Sequence, residues 1–278
     1  MLNQIRYMTQ VKISSFNVNS INARLPRLIE WLKSSNPDIV LLQELKCLED
    51  NFPFEPLFDL GYNAAVFGQK TYNGVAILSK SKIEDVVKGI PQFDDEQARY
   101  IEAVIPIANK AIRVASVYVP NGGGELLPEQ CLEDSDKFRY KMRFFDALRA
   151  HFKQVLEYDE TQIFGGDFNV AIEEIDVFDP QNFVGKILFH NQERQKFRSL
   201  LNLGLIDSYR ACNQYCQSFS WWDYRGNAWQ YNKGCRIDYL LTSSQAADKI
   251  TSAAIEDQGV RDQEKASDHC PVTVTLKL

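Results

Sequence analysis

Basic residues are not in excess: 31 Lys and Arg stand against 37 Asp and Glu, a net charge of −6. A polybasic coat for nucleic acid would carry the opposite sign, so that role is excluded. A nucleic-acid enzyme with local basic residues and a carboxylate metal site is not. Histidine is scarce, at three residues, and the six cysteines (47, 131, 212, 216, 235 and 270) form no CxxC pair. Cys212 and Cys216 are spaced CxxxC with no histidine beside them, so a zinc site lacks ligands and thiols in a reducing compartment are expected. No apolar run approaches membrane-spanning length, and Met1–Met8 lacks the core of a signal peptide. A cytoplasmic location with no membrane contact follows. Low-complexity tracts and solenoid repeats are also missing.

The rest of the 278-residue chain is a succession of short apolar runs separated by turn residues. Val11–Val18 predicts a first strand, and Leu25, Leu28, Ile29 and Leu32 fall on one helical face that Asn36-Pro37 ends. Ile39–Leu42 is a short apolar strand, and Asn73-Gly74 marks the turn before Val75–Leu78. Ile101–Ile105 and Ile112–Val119 predict further buried strands. Lys137–Glu157 and Glu193–Leu203 carry helical periodicity. Val272, Val274, Leu276 and Leu278 alternate with Thr273, Thr275 and Lys277, which predicts a strand with one buried face. Interleaved strands and helices indicate an α/β fold with stacked sheets.

Function shows where polar residues interrupt these runs. Asn17 sits between Phe16 and Val18, and Glu44 follows Ile39–Gln43. Asp167 and Asn169 flank Phe168, Asp238 lies between Ile237 and Tyr239, and Asp268-His269 precede the last strand. A charge beside a buried strand is costly unless it is paired or binds a cation. Each residue alone fits a cap or a turn. Five such places suit hard oxygen ligands gathered at sheet ends for a Mg²⁺ ion.

The segments Phe16-Asn17-Val18-Asn19-Ser20 with Ala23-Arg24, Leu42-Gln43-Glu44, Gly166-Asp167-Phe168-Asn169, Arg236-Ile237-Asp238-Tyr239 and Ser267-Asp268-His269-Cys270-Pro271 occur in this order. Gly68-Gln69-Lys70, Tyr118-Val119-Pro120-Asn121-Gly122 and Ser220-Trp221-Trp222-Asp223-Tyr224-Arg225 add to them. From about residue 11 onward the chain resembles the exonuclease III family of abasic-site endonucleases. The resemblance implies a four-layer α/β sandwich, two mixed β-sheets packed face to face with helices outside, over 9–278 as one domain. Residues 1–8 are then expected as a loose tail, with Met8 a candidate start.

The resemblance also implies roles. Glu44 is the main Mg²⁺ ligand (Mn²⁺ is an alternative, with one ion or two), helped by Asn17, Asp268, Asp167 and Asn169. Asp167 orients or deprotonates the attacking water, and Asn169 holds water and phosphate. His269 bonds a phosphate oxygen with Asp238 fixing its tautomer, and Tyr118 assists the phosphate or the leaving group. Asn121, Trp221, Trp222, Arg225 and Arg236 meet the substrate, with Trp221 and Trp222 facing opposite ways in a strand. The run Lys137, Arg139, Lys141 and Arg143 suits a solvated helix face as well as a DNA contact. The acidic Gly122–Asp136 loop suits solvent, and His151 and His190 fit structural places.

Two departures stand out. Leu45 follows Glu44 where many relatives have Thr, and Cys235 stands where members often carry a bulky apolar residue beside the sugar pocket. The implied activity is Mg²⁺-dependent incision of double-stranded DNA 5′ to abasic sites, with 3′-5′ exonuclease and 3′-end cleaning, by a monomer. A superfamily phosphatase or phosphodiesterase acting on another phosphoester is the alternative. A silent DNA-binding protein would require loss of Glu44, Asp167, Asn169, Asp238 or His269, and all are present.

Overall fold

The apolar runs become the centres of two six-stranded sheets. The computed structural model describes residues 9–107, 109–123 and 131–278, so the expected tail 1–8, and Glu125 and Glu129 of the acidic loop, lie outside the described residues. The first sheet contains β1 (Gln10–Asn17), β2 (Ile39–Gln43), β3 (Asn63–Phe67), β4 (Val75–Ser79), β13 (Ile250–Ile255) and β14 (Val272–Lys277). Their order is β13-β14-β1-β2-β4-β3. The second contains β5 (Glu84–Lys88), β6 (Tyr100–Ile107), β7 (Lys110–Tyr118), β8 (Thr161–Asp167), β9 (Ile206–Asp207) and β12 (Asp238–Thr242), ordered β5-β6-β7-β8-β12-β9. β1–β2 and β7–β8 are parallel, whereas β1–β14 and β8–β12 are antiparallel, so both sheets are mixed. A small hairpin pairs β10 (Trp221–Trp222) with β11 (Gly234–Cys235).

Inner faces meet in a shared core, where Ile13, Leu41, Ile77 and Val274 pack with Val114, Ile163 and Leu240. On the outer face of the first sheet, Leu28, Trp31 and Leu32 of α1 (Ile21–Ser35) cover Phe16, Val40 and Leu42. Asn36, at φ 51°, ends α1 in the left-handed conformation before Pro37. Short helix α2 (Phe54–Phe58) follows on the same side, with Leu57 in that cluster. On the second sheet, Phe144, Phe145 and Phe152 of α3 (Asp136–Val155) and Phe197 of α5 (Asn191–Leu201) cover Val117, Phe164 and Tyr239. The short α4 (Pro180–Phe183) precedes α5. Helix, sheet, sheet and helix make the four layers the resemblance implies.

Gly165 and Gly166 let β8 fit between its neighbours. A Cβ on Gly165 would lie 2.5 Å from the Leu240 side chain and 2.7 Å from Leu41 of the opposing sheet, and one on Gly166 would fall 1.8 Å from the Val117 carbonyl oxygen. Strand β14 departs from expectation. It does so at Thr273 alone, which is buried with its hydroxyl paired to Ser14 Oγ at 2.7 Å, while Thr275 is half-buried and Lys277 exposed. Pairing two hydroxyls makes the buried polar group tolerable.

This topology gathers one end of both sheets. β1, β2, β7 and β8 finish there, β12 starts there, and the chain enters β14 there. Tyr118 and Asp238 both lie opposite Asp167 in register, on either side of β8.

Candidate active site

Glu44, Asp167 and His269 each place a side-chain N or O atom within 4.8 Å of the others. Asn17 joins the two sheets between them, its Nδ2 donating to Glu44 Oε1 at 2.9 Å and Asp167 Oδ2 at 3.0 Å. Asn169, at φ 51°, turns back after β8 so that its backbone N–H donates to Asp167 Oδ1 at 2.9 Å. Its Nδ2 donates to Val119 O at 2.9 Å. His269 lies between two carboxylates, with Nδ1 2.9 Å from Asp238 Oδ2 and Nε2 3.8 Å from Asp167 Oδ2. Ser220 Oγ donates to Asp238 Oδ2 at 2.6 Å, while Asp238 Oδ1 is buried with no partner among the described residues.

Charges here are set by burial and by each other. Burial opposes protonation of His269, but Asp238 and Asp167 outweigh it and lift the imidazole to about 10. Burial, the Asp238 charge and the Glu44 charge push Asp167 up to about 8, against the pull of His269 and the Asn169 N–H. For Glu44, burial is outweighed by Lys46, whose ammonium pairs with Oε2 at 2.8 Å, and by Asn17 and His269, so its carboxyl lies below its ordinary value. Burial, with the charges of Glu44 and Asp167, lifts the Tyr118 phenol well above its ordinary value despite Arg99 stacked 4.7 Å from the ring centroid. Tyr118 is therefore held as a proton donor.

A cleft of about 460 Å³ opens over this cluster, lined by Glu44, Tyr118, Asn121, Asp167, Asn169, Asp268 and His269. Phe183, Ile187, Leu188, Trp221 and Ile237 form an apolar wall, with Lys186 and Arg225 also lining the cleft. The carboxylate oxygens suit a hard divalent cation.

The endonuclease/exonuclease/phosphatase family matches residues 14–269. The chain belongs to this family. It is similar to exodeoxyribonuclease III of Haemophilus influenzae, 30% identical over 96% of this chain and 100% of the relative. Among solved structures it resembles the 3′ phosphatase NExo from Neisseria bound to product DNA hairpin, with 38% identity, a TM-score of 0.88, and 96% of this chain and 100% of that one covered. An AP endonuclease from Archaeoglobus fulgidus gives 32% identity and a TM-score of 0.88 over the same shares.

Within this family member, the structure separates some residues that the sequence put together. Trp222 turns into a small core with Phe219, Trp229 and Cys270, and is 1% exposed, so it is not part of the cleft; Trp221 takes the cleft side. Arg236 is 1% exposed and faces away from any substrate, donating to Asp176 at 2.8 Å and 3.1 Å and to Asp207 at 2.7 Å. Buried and paired with these carboxylates, the guanidinium is out of a phosphate's reach. Arg225 reaches the cleft and pairs with Asp223 at 2.8 Å, and Asn121 donates to Asn169 Oδ1 at 3.1 Å. Asn17 and Asn169 turn their NH₂ groups, not their oxygens, toward the carboxylates. Asp268 stands apart from the central three, accepting from Asn19 Nδ2 at 2.8 Å and Trp221 Nε1 at 3.1 Å.

Sequence reasoning missed Lys46, Ser220 and the Phe183–Leu188 wall. A lysine two residues after an acidic strand end is a usable signal for the first. Nothing local marks the wall. His151 bonds Glu102 at 2.8 Å and His190 caps α5, the structural places expected of them, and among the described residues every cysteine is free.

Proposed function

We infer that this site hydrolyses phosphodiesters of double-stranded DNA with Mg²⁺, or Mn²⁺, incising 5′ to abasic sites and trimming or unblocking 3′ ends. The convergence of Glu44, Asp167 and His269 from both sheets beneath one cleft carries the inference. The relatives named as DNA nucleases narrow phosphoester chemistry to DNA repair. Glu44 and Asp167 would hold the cation, with Asp268 nearby, and the bound cation would stabilise charge on the phosphate oxygens.

The chain's own residues supply the rest. His269 keeps its Nδ1 proton on Asp238 and offers Nε2–H to a non-bridging phosphate oxygen. Asp167, ionised when the cation is bound, is placed to orient or deprotonate the attacking water. The Asn169 backbone holds its other oxygen in place. Tyr118 donates to the phosphate or the leaving oxygen. The apolar wall around Trp221 accepts a deoxyribose face that carries no base, and Asn121 and Arg225 take flanking phosphates.

A labelled duplex with one tetrahydrofuran abasic analogue, and a second ending in a 3′-phosphate, test this with Mg²⁺, with EDTA and with Asp167→Asn. Metal-dependent incision immediately 5′ to the analogue, lost in the variant, is expected. Release of 3′ groups without incision would restrict the activity to 3′ ends, the activity named for the Neisseria relative. Cleavage of neither duplex would refute the inference.

A further inference from the structure

Helix α3 opens with Lys137, Arg139, Lys141 and Arg143. Three are exposed, but Lys141 is fully buried, and its ammonium pairs with Glu193 of α5, which is also fully buried. The other ammonium bonds go to backbone: Asn169 O at 2.6 Å and Asn121 O at 3.0 Å. Glu193 Oε2 in turn accepts the His190 N–H at 2.9 Å. One cation thus ties α3 and the start of α5 to the loops that follow β7 and β8.

A buried ion pair is a poor source of stability, because desolvation consumes most of its attraction and apolar residues of the same volume do as well. Apolar residues could not hold carbonyl oxygens, however. Asn169 is kept in the left-handed region and Asn121 leans on it, so both amides depend on where their backbones are fixed. The loop is moulded to the lysine stem as well: Gly122 sits at φ +82°, and a Cβ there would lie 2.7 Å from Lys141 Cδ.

We propose that Lys141 is a positioning residue, whose ammonium holds the Asn169 and Asn121 backbones so that their amides, and through Asn169 N–H the Asp167 carboxylate, are set in place against the substrate's phosphates. The kinetic part rests on the nuclease function inferred above; the placement of the amides does not. Lys141→Met alone would strand the buried Glu193, so the decisive variant is Lys141→Met with Glu193→Met. Its thermal midpoint should stay within about 5 °C of the parent. Its kcat on the abasic duplex should fall about tenfold or more with KM within about threefold, as expected for misplaced groups. The Asn121 and Asn169 side-chain amide resonances should shift in the free protein. Gly122→Ala, which presses on the Lys141 stem, is the second variant should the first not fold, and it should move both readouts the same way. Unmoved amide resonances would overturn the proposal, as would shifted resonances with unchanged kcat. If the parent cuts no DNA, the nuclease function fails, and the resonances alone decide whether the clamp exists.

Discussion

Loading the site with a divalent cation should expel a proton. Asp167, pushed up to about 8, is therefore about nine-tenths protonated at pH 7. A cation must find it ionised, so binding at pH 7 should release about 0.9 proton, and at pH 9 only about 0.1. Glu44 lies below its ordinary value and contributes none. His269, lifted to about 10 and bonded to Asp238, keeps its proton. Below pH 8 the apparent affinity should weaken about tenfold per pH unit. Calorimetric titration of Mg²⁺ or Mn²⁺ in buffers of different ionisation enthalpy reads the proton count from the slope of observed heat against buffer enthalpy. A slope of zero at pH 7 would show that burial does not keep Asp167 protonated. A slope near two would show that His269 discharges as well, against the role given to Asp238.

Without metal, Asp167 (about 8, against 3.8) and His269 (about 10, against 6.5) both hold protons more tightly folded than unfolded, so stability drops as pH rises through these windows. Asp167→Asn removes the carboxylate share. In EDTA its thermal midpoint relative to the parent should therefore climb from pH 5 to pH 8, and a pH-independent gap would refute this. The adjacent tryptophans should separate cleanly: Trp222→Ala should cost about 3–5 kcal/mol in urea unfolding, whereas Trp221→Ala should weaken abasic-duplex binding at a stability cost of about 1 kcal/mol. Equal stability losses would place both rings in the core. Arg236→Met breaks a buried pair and should cost about 3–5 kcal/mol; weaker DNA binding at unchanged stability would restore it as a phosphate contact.

These contrasts show where the sequence was legible. Strands such as Ile39–Gln43 and Val75–Ser79 are apolar because both faces are covered, and a covered strand is visible without neighbours. The site residues were visible as polar interruptions at strand ends, ordered as in the family. Arg236 and Trp222 misled because adjacency in sequence says nothing of which side of the sheet is wet. Arg236 stands one residue from the cleft-lining Ile237, yet it points to Asp176, 60 positions away. Lys141, read with its neighbours as a solvated helix face or a DNA contact, is instead buried, and its acceptors come from three distant segments that its own helix does not reveal. Along β14 the alternation held except at Thr273, because a buried hydroxyl satisfied by Ser14 leaves the same pattern as a solvated one.

The place of β14 has a consequence for synthesis. It fills the gap between β13 and β1, so the first sheet has a missing rung until residues 272–277 arrive, and β1 waits some 260 residues for its partner. Asp268 and His269 come immediately before. The ribosome thus delivers the imidazole and the strand that anchors it together, after Glu44, Asp167 and Asp238. A nascent or prematurely terminated chain has Glu44 and Asp167 of the cleft but not the Asp268 and His269 that complete it. Such a chain is a protein without a working blade, and a nuclease that cannot cut while unfinished spares the nucleic acids around it.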